Sequence, residues 1–264
     1  MSIIAGNSLP DGFETYAEAK ERRAYKIEIL SGGNKAQRAL ADKLNRCKKG
    51  ARCNCGACDV CTGLFRLRLF RQLQPILAAK PHWTRASVVP ADLLFAEGDL
   101  ANADLNAIRT KISKRLERWS LRDRIVIAGI DISLNTEDNK TVGWQLHLYM
   151  LVEGEHNIQL EEAVKATFPA EPTAHVPYHF KQRSGKMKAV TYLYKAIFWR
   201  RSRYTLYGRR QPRIRNLPLK RPELRELLEF LGRYPVDARL ILRGIRRDGA
   251  HLIITRRLPA SMKD

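Results

Sequence analysis

No stretch reaching the roughly eighteen apolar residues that a membrane span requires occurs in this chain. The opening segment MSIIAGNSLPDGF has neither a basic start nor a long apolar core. Neither a membrane anchor nor a secretory leader is expected, and a cytoplasmic location is. Cysteine is missing everywhere except between positions 47 and 61. Acid is missing from a whole segment: Lys181 to Lys220 holds thirteen Lys and Arg and no Asp or Glu. Over the full 264 residues, 48 bases against 27 acids leave a formal charge of +21, far beyond what solubility requires. That excess implies a polyanionic partner.

Where cysteine does occur it is dense. The run RCKKGARCNCGACDVC carries Cys47, Cys53, Cys55, Cys58 and Cys61. In a reducing compartment such clustering favours thiolate ligation of zinc over disulfides. Gly50, Asn54 and Gly56 allow the tight turns that four sulfurs on one tetrahedral ion demand. Five thiols for four positions leave one undecided. Before this knuckle, Thr15–Leu30 and Asn34–Arg46 read as charged helices separated by Ser31-Gly32-Gly33. After it, Leu64–Leu77 reads as a basic helix packed on the knuckle.

The middle of the chain alternates. Arg85–Phe95, with Pro90 inside it, reads as an edge or a bulged strand, and Asn102 as the cap of a helix carrying Leu105, Ile108, Ile112, Leu116 and Trp119 on one face. From Ile125 to Val152 two β-branched runs flank the polar connector 135–140, the pattern of a β-hairpin. A helix at Ile158–Phe168, a strand at Ala174–Lys181 and a helix at Lys186–Trp199 complete the set. The order predicts an α+β fold with an antiparallel central sheet and helices on one face, of the ferredoxin-like or split type.

Period-2 alternation sorts the hairpin chemically. Gly129, Asp131 and Ser133 share one face of the first strand; Gln145, His147 and Tyr149 share one face of the second. If those faces coincide, an acid, an amide oxygen and an imidazole converge in the sheet, where isolated polar groups are costly unless they bind something such as a divalent cation. In the last helix, Tyr192 and Lys195 are three apart and so can leave one face, a phenol beside an ammonium. The acid-free segment follows, with Tyr192, Tyr194, Phe198, Trp199, Tyr204 and Tyr207 set among its bases. Lys181, Arg183, Lys186, Lys188, Arg200, Arg201, Arg203, Arg209 and Arg210 can neutralise phosphates while Tyr204 and its aromatic neighbours stack on exposed bases.

These motifs together, a cysteine knuckle, then GIDIS, GWQLHLYMLV and a helix with Tyr-x-x-Lys, resemble the rolling-circle replication initiators of plasmids and phages, members of the HUH endonuclease superfamily. The likeness covers roughly Cys47 to Tyr204. The family's metal motif is His-U-His with U apolar; Gly143-Trp144-Gln145-Leu146-His147 matches it with Gln145 in place of the first histidine, and Asp131 stands where the family carries an acid. The resemblance implies that Asp131, Gln145 and His147 hold Mg²⁺ or Mn²⁺ and that Tyr192, assisted by Lys195, attacks single-stranded or origin-hairpin DNA. The product is a 5′-phosphotyrosyl link, and a recruited host helicase or polymerase is a further expected partner. A second register places Ala196 at the catalytic position, and with it a non-catalytic, zinc-stabilised DNA- or RNA-binding protein.

The expected division is therefore 1–80, a helical region with the zinc knuckle; 81–210, the HUH-like nicking domain; and 211–264, a C-terminal extension. In the last, Pro222–Leu231 reads as an amphipathic helix opened by Pro222. Ala238–Leu242 and His251–Thr255 read as a hairpin around the loop 244–249.

Overall fold

The computed structural model describes residues 9, 12–80, 82–118, 121, 123–138, 140–170, 176–183, 188–204, 213–249 and 251–255. Three helices open the chain: α1 (Tyr16–Ser31), α2 (Lys35–Asn45) and α3 (Asp59–Ala78). Capping boxes start the first two, Thr15 with Glu18 and Asn34 with Gln37, each satisfying end N–H groups that the helix itself leaves open. The third starts five residues earlier than its apolar spacing suggests, because the knuckle runs straight into it with Cys58 as N-cap.

The strands are β1 (Trp83–Val88), β2 (Leu94–Phe95), β3 (Val126–Glu137), β4 (Lys140–Glu153), β5 (Tyr178–Gln182), β6 (Trp199–Tyr204), β7 (Arg213–Leu217) and β8 (Leu240–Arg243). Between them lie α4 (Leu105–Arg118), α5 (Ile158–Thr167), α6 (Lys188–Leu193) and α7 (Arg221–Gly232). Together the strands form one sheet in the order β5-β1-β4-β3-β6-β7, with β2 added to β4 and β8 to β3. A separate hairpin, β9 (Ile245–Asp248) with β10 (His251–Ile254), ends the described chain.

The architecture is α+β, but the sheet is mixed rather than antiparallel, since β3 and β6 run parallel from Ser133–Trp199 to Glu137–Arg203. The expectation of helices on one face also needs correcting. Ile130, Ile132, Leu134, Trp144, Leu146, Leu148 and Met150 form a wholly apolar face, none more than 2% exposed. There Glu226 of α7 accepts from Trp144 Nε1 at 2.8 Å. Across the opposite face runs α6, whose last carbonyl, that of Leu193, would lie 1.4 Å from a Cβ placed on Gly129. Only glycine at 129 lets that helix reach the sheet.

Other boundaries shift for identifiable reasons. The polar connector of the central hairpin is mostly strand: β3 runs through Glu137 and pairs it with Lys140, turning at Asp138 with φ of 45°. A register shift at Asn135/Thr136 absorbs the extra residue, and Gly143 beside it, at φ of 142°, faces the carbonyl of Phe95. Asp104, not Asn102, caps α4, accepting from Asn106 N at 2.8 Å, while Asn102 ends a 3₁₀ turn. The strand 240–243 pairs with β3 instead of with 251–254. One continuous hydrophobic cluster runs from Ala19 of α1 through the sheet to Leu252 of β10.

Candidate functional site

Four of the five cysteines come together. The sulfurs of Cys47, Cys53, Cys58 and Cys61 lie within 4.8 Å of one another. Cys47–Cys61 is 3.6 Å, Cys53–Cys61 3.7 Å and Cys58–Cys47 3.8 Å. A tetrahedral ion with sulfur ligands at about 2.3 Å puts its ligands about 3.8 Å apart, so the cluster has the dimensions to hold a metal ion. Cys55 is the fifth thiol. Its sulfur faces away, 3.7 Å from the carbonyl of Gly232, and burial pushes its pKa up. Bonds from Cys58 and then Cys61 hold the Cys53 thiol down at about 4, while the bond to Cys53 drives Cys61 upward. The knuckle is tied to the end of α7, with Gly56 N on Tyr234 O at 2.9 Å and Val236 N on Asn54 O at 3.0 Å.

The second constellation lies on the face of the sheet opposite the apolar one. Register places Asp131 opposite His147, Ser133 opposite Gln145 and Gly129 opposite Tyr149. The polar faces of β3 and β4 therefore coincide. Asp131 Oδ2 pairs with Lys195 Nζ at 2.7 Å, and the same ammonium donates to Tyr149 Oη at 3.0 Å. Burial works against the charge on Lys195, but the Asp131 carboxylate and the Tyr149 hydroxyl outweigh it and raise its pKa. The other carboxylate oxygen, Asp131 Oδ1, is buried with no hydrogen-bond partner among the described residues.

His147 is 3% exposed, and burial, reinforced by Arg201 and Lys195 and opposed only by Asp131, lowers its pKa to about 4. The ring is neutral at physiological pH. Ser133 Oγ lies 2.9 Å from Asn135 Oδ1 and 2.8 Å from His147 Nε2. These two contacts tie the imidazole into a chain with Ser133 and Asn135 of β3. Gln145 is spent differently. Its amide nitrogen sits 3.1 Å from Pro90 O, 3.2 Å from Leu93 O and 3.1 Å from Leu146 O, which pins the segment leading to β2. Only its amide oxygen could serve a cation.

Tyr192 is on α6, 46% exposed, with its ring 6.0 Å from Lys195 Nζ. The helix expected to run through Trp199 stops at Leu193, yet the tyrosine and the lysine remain neighbours. Tyr194 is fully turned inward. Its hydroxyl donates to Val236 O, and burial raises its pKa.

Alternation divides the basic residues. Arg201 and Arg203 pair with Asn135 and Glu137 of β3, and Lys181 with Arg85 of β1, so all three share the face of Asp131 and His147. Arg200 and Tyr204 belong to the other face, where Arg200 approaches Glu223 at 3.7 Å. Arg183 follows β5, donating its backbone N–H to Trp83 O at 2.8 Å. Lys188 opens α6, and Lys186, Arg209 and Arg210 lie outside the described residues, as do Trp119 and Tyr207. Ser133 and Tyr149 take the places that alternation gave them; Asn135, assigned by sequence to the connector, and Arg239 also belong to the site and were not singled out from sequence. Among the described residues no helix is long and apolar enough to cross a membrane. No family model, curated protein or solved structure matches the chain.

Proposed function

We propose that the chain is a DNA-nicking strand transferase of the HUH type, a replication initiator that cuts single-stranded or origin-hairpin DNA. The observation that carries this reading is the convergence of Asp131, His147 and Lys195 on one sheet face beside a half-exposed Tyr192. The donor set suits a divalent cation such as Mg²⁺ or Mn²⁺. Asp131 offers a carboxylate oxygen without a partner among the described residues, His147 a neutral ring, and Gln145 an amide oxygen. What the bound cation would supply is positive charge against a non-bridging phosphate oxygen. Arg201 neutralises a flanking phosphate, while Arg203 faces Glu137 at 3.4 Å.

In the transfer, Tyr192 Oη forms a bond to phosphorus as the bond from phosphorus to the 3′ oxygen breaks. The phenol gives up its proton and the departing 3′ oxygen gains one, so the products are a 5′-phosphotyrosyl link and a free 3′-hydroxyl. A phenol of ordinary pKa about 10 is a weak nucleophile, and Lys195 favours the developing phenolate. In the knuckle, the metal is read as structural zinc.

One observation favours a second reading, a non-catalytic nucleic-acid-binding protein: Lys195 already neutralises Asp131, and three carbonyls already hold the Gln145 amide. Incubation with single-stranded DNA and Mn²⁺ or Mg²⁺ decides between them. Wild type should yield a covalent protein–DNA adduct that Tyr192→Phe abolishes without loss of DNA binding; no adduct from wild type with either cation overturns the nicking reading.

A further inference from the structure

A cleft of about 480 Å³ opens beside Tyr192, within the range of about 300–1,000 Å³ typical of clefts for small organic ligands. Phe13 and Glu14 ahead of α1, Arg22, Arg66, Tyr192, Lys195, Ile197, Trp199 and Asn216 line it. Its walls leave Tyr192 46%, Ile197 42% and Trp199 36% exposed, whereas Trp83 and Trp144 are 1% and 0% exposed. Trp199 pairs in register with Ser133, and Asn216 with Arg201. Both therefore stand on the face that carries Asp131 and His147, and the cleft opens next to that pair.

The charges around the cleft each face a counter-charge. Arg66 is paired with Glu14, Arg22 approaches Glu14 at 3.7 Å and Asp59 at 3.6 Å, and Lys195 holds Asp131 at 2.7 Å. Glu18 is occupied in the capping box of α1. A phosphate would find little unspent positive charge here. A flat, neutral heteroaromatic would find an indole and a phenol to stack on, with the Asn216 amide at the edge.

We propose that this cleft seats the nucleobase adjoining the phosphate held at Asp131 and His147, with Trp199 as its stacking platform. The placement rests on the nicking reading; the base-binding itself does not need the chemistry. It makes Trp199 a determinant of how the strand is registered over Tyr192.

Intrinsic tryptophan emission tests it on the full chain. Single-stranded oligothymidylate should quench the emission of wild type, and Trp199→Phe should abolish the quench while keeping affinity within a few fold. Trp199→Ala should weaken binding roughly 5- to 150-fold, the usual loss for one stacked base. An oligomer of equal length with abasic sites should bind wild type as weakly as Trp199→Ala binds the normal strand. A quench unchanged in Trp199→Phe, or full affinity in Trp199→Ala, overturns the proposal. A Trp199-dependent quench without any covalent adduct leaves the cleft standing and removes the nicking reading; an adduct formed normally by Trp199→Ala with undiminished affinity does the reverse.

Discussion

Arg239 holds Lys195 in place by its backbone: one guanidinium nitrogen donates to Lys195 O at 2.8 Å and another to Ile130 O at 2.9 Å, the residue before Asp131. The backbone answers, with Ile130 N donating to Arg239 O at 2.9 Å. The edge of β3 is paired with β8 up to Gly129 and with β6 from Ser133, and Arg239 fills the break between them. Its guanidinium lies between two rings, 4.1 Å from Tyr194 and 4.9 Å from Phe198. A single 2%-exposed side chain thus joins the backbones that carry both members of the Asp131–Lys195 pair.

A double-mutant cycle measures that role without any assay of activity. Unfolding of wild type, Asp131→Asn, Lys195→Met and the double variant should give a coupling of about 0.5–3 kcal/mol, as for other side chains in contact. Arg239→Lys keeps the charge but can reach only one of the two carbonyls. In that background the coupling should fall toward zero, and a coupling of undiminished size would mean that the pair positions itself.

For the knuckle, metal analysis of protein purified under reducing conditions should find one equivalent of zinc. Serine at Cys47, Cys53, Cys58 or Cys61 should lose it, whereas Cys55→Ser should retain it, because that sulfur faces Gly232 O and not the cluster. Chelation should also lower Tm, since the knuckle docks on residues 234–236 at the end of α7. A loss of about 2 kcal/mol corresponds to about 4–8 °C in a large domain. Retention of metal by all four serine variants would refute the assignment of ligands.

His147 makes stability depend on pH in a set direction. Its pKa falls from 6.5 in the unfolded chain to about 4 in the fold. Below pH 6.5 the unfolded state binds a proton that the folded state refuses, so stability should drop as pH falls toward 4 and be unaffected by this group above 6.5. The full span is worth about 3 kcal/mol at 1.36 kcal/mol per pH unit. Urea denaturation without added divalent cation should show the slope in wild type and a shallower one in His147→Asn; equal slopes would assign the acid sensitivity elsewhere.

The parts of this picture legible in the sequence are those written in local periodicity. Alternation over 126–153 was enough to put Asp131, His147 and Tyr149 on one face, because a strand has no other way to dispose them. What escaped was non-local. The Lys186–Trp199 pattern contains no proline after its start and reads as one helix. In the fold, Lys195 O is taken by Arg239, and Tyr194 and Phe198 close on the same guanidinium, so the backbone leaves the helix after Leu193. Nothing near Arg239 announces a partner 109 residues away at Ile130. Likewise 240–243 has the composition of half a hairpin and finds its partner in β3.

Gln145 is where the structure changes what a substitution should do. Considered only as a departure from a His-U-His pair, Gln145→His would preserve or improve the site. Yet the amide nitrogen of Gln145, in a residue 1% exposed, bonds three backbone carbonyls and anchors the path from Pro90 to Leu93 against β4. An imidazole offers one donor in a different place, so Gln145→His should cost about 0.5–1.5 kcal/mol for each bond that it does not remake. Gln145→Glu should be worse, because it sets a carboxylate with no donor against those same carbonyls. Gln145→Leu, which gives up the side-chain bonds but adds no charge and leaves Leu93 O its bond from Leu146 N, should fall between wild type and Glu. Urea denaturation midpoints ordering wild type, then Leu and His, then Glu would establish Gln145 as an anchor; a Gln145→His variant as stable as wild type would return it to the list of interchangeable metal ligands.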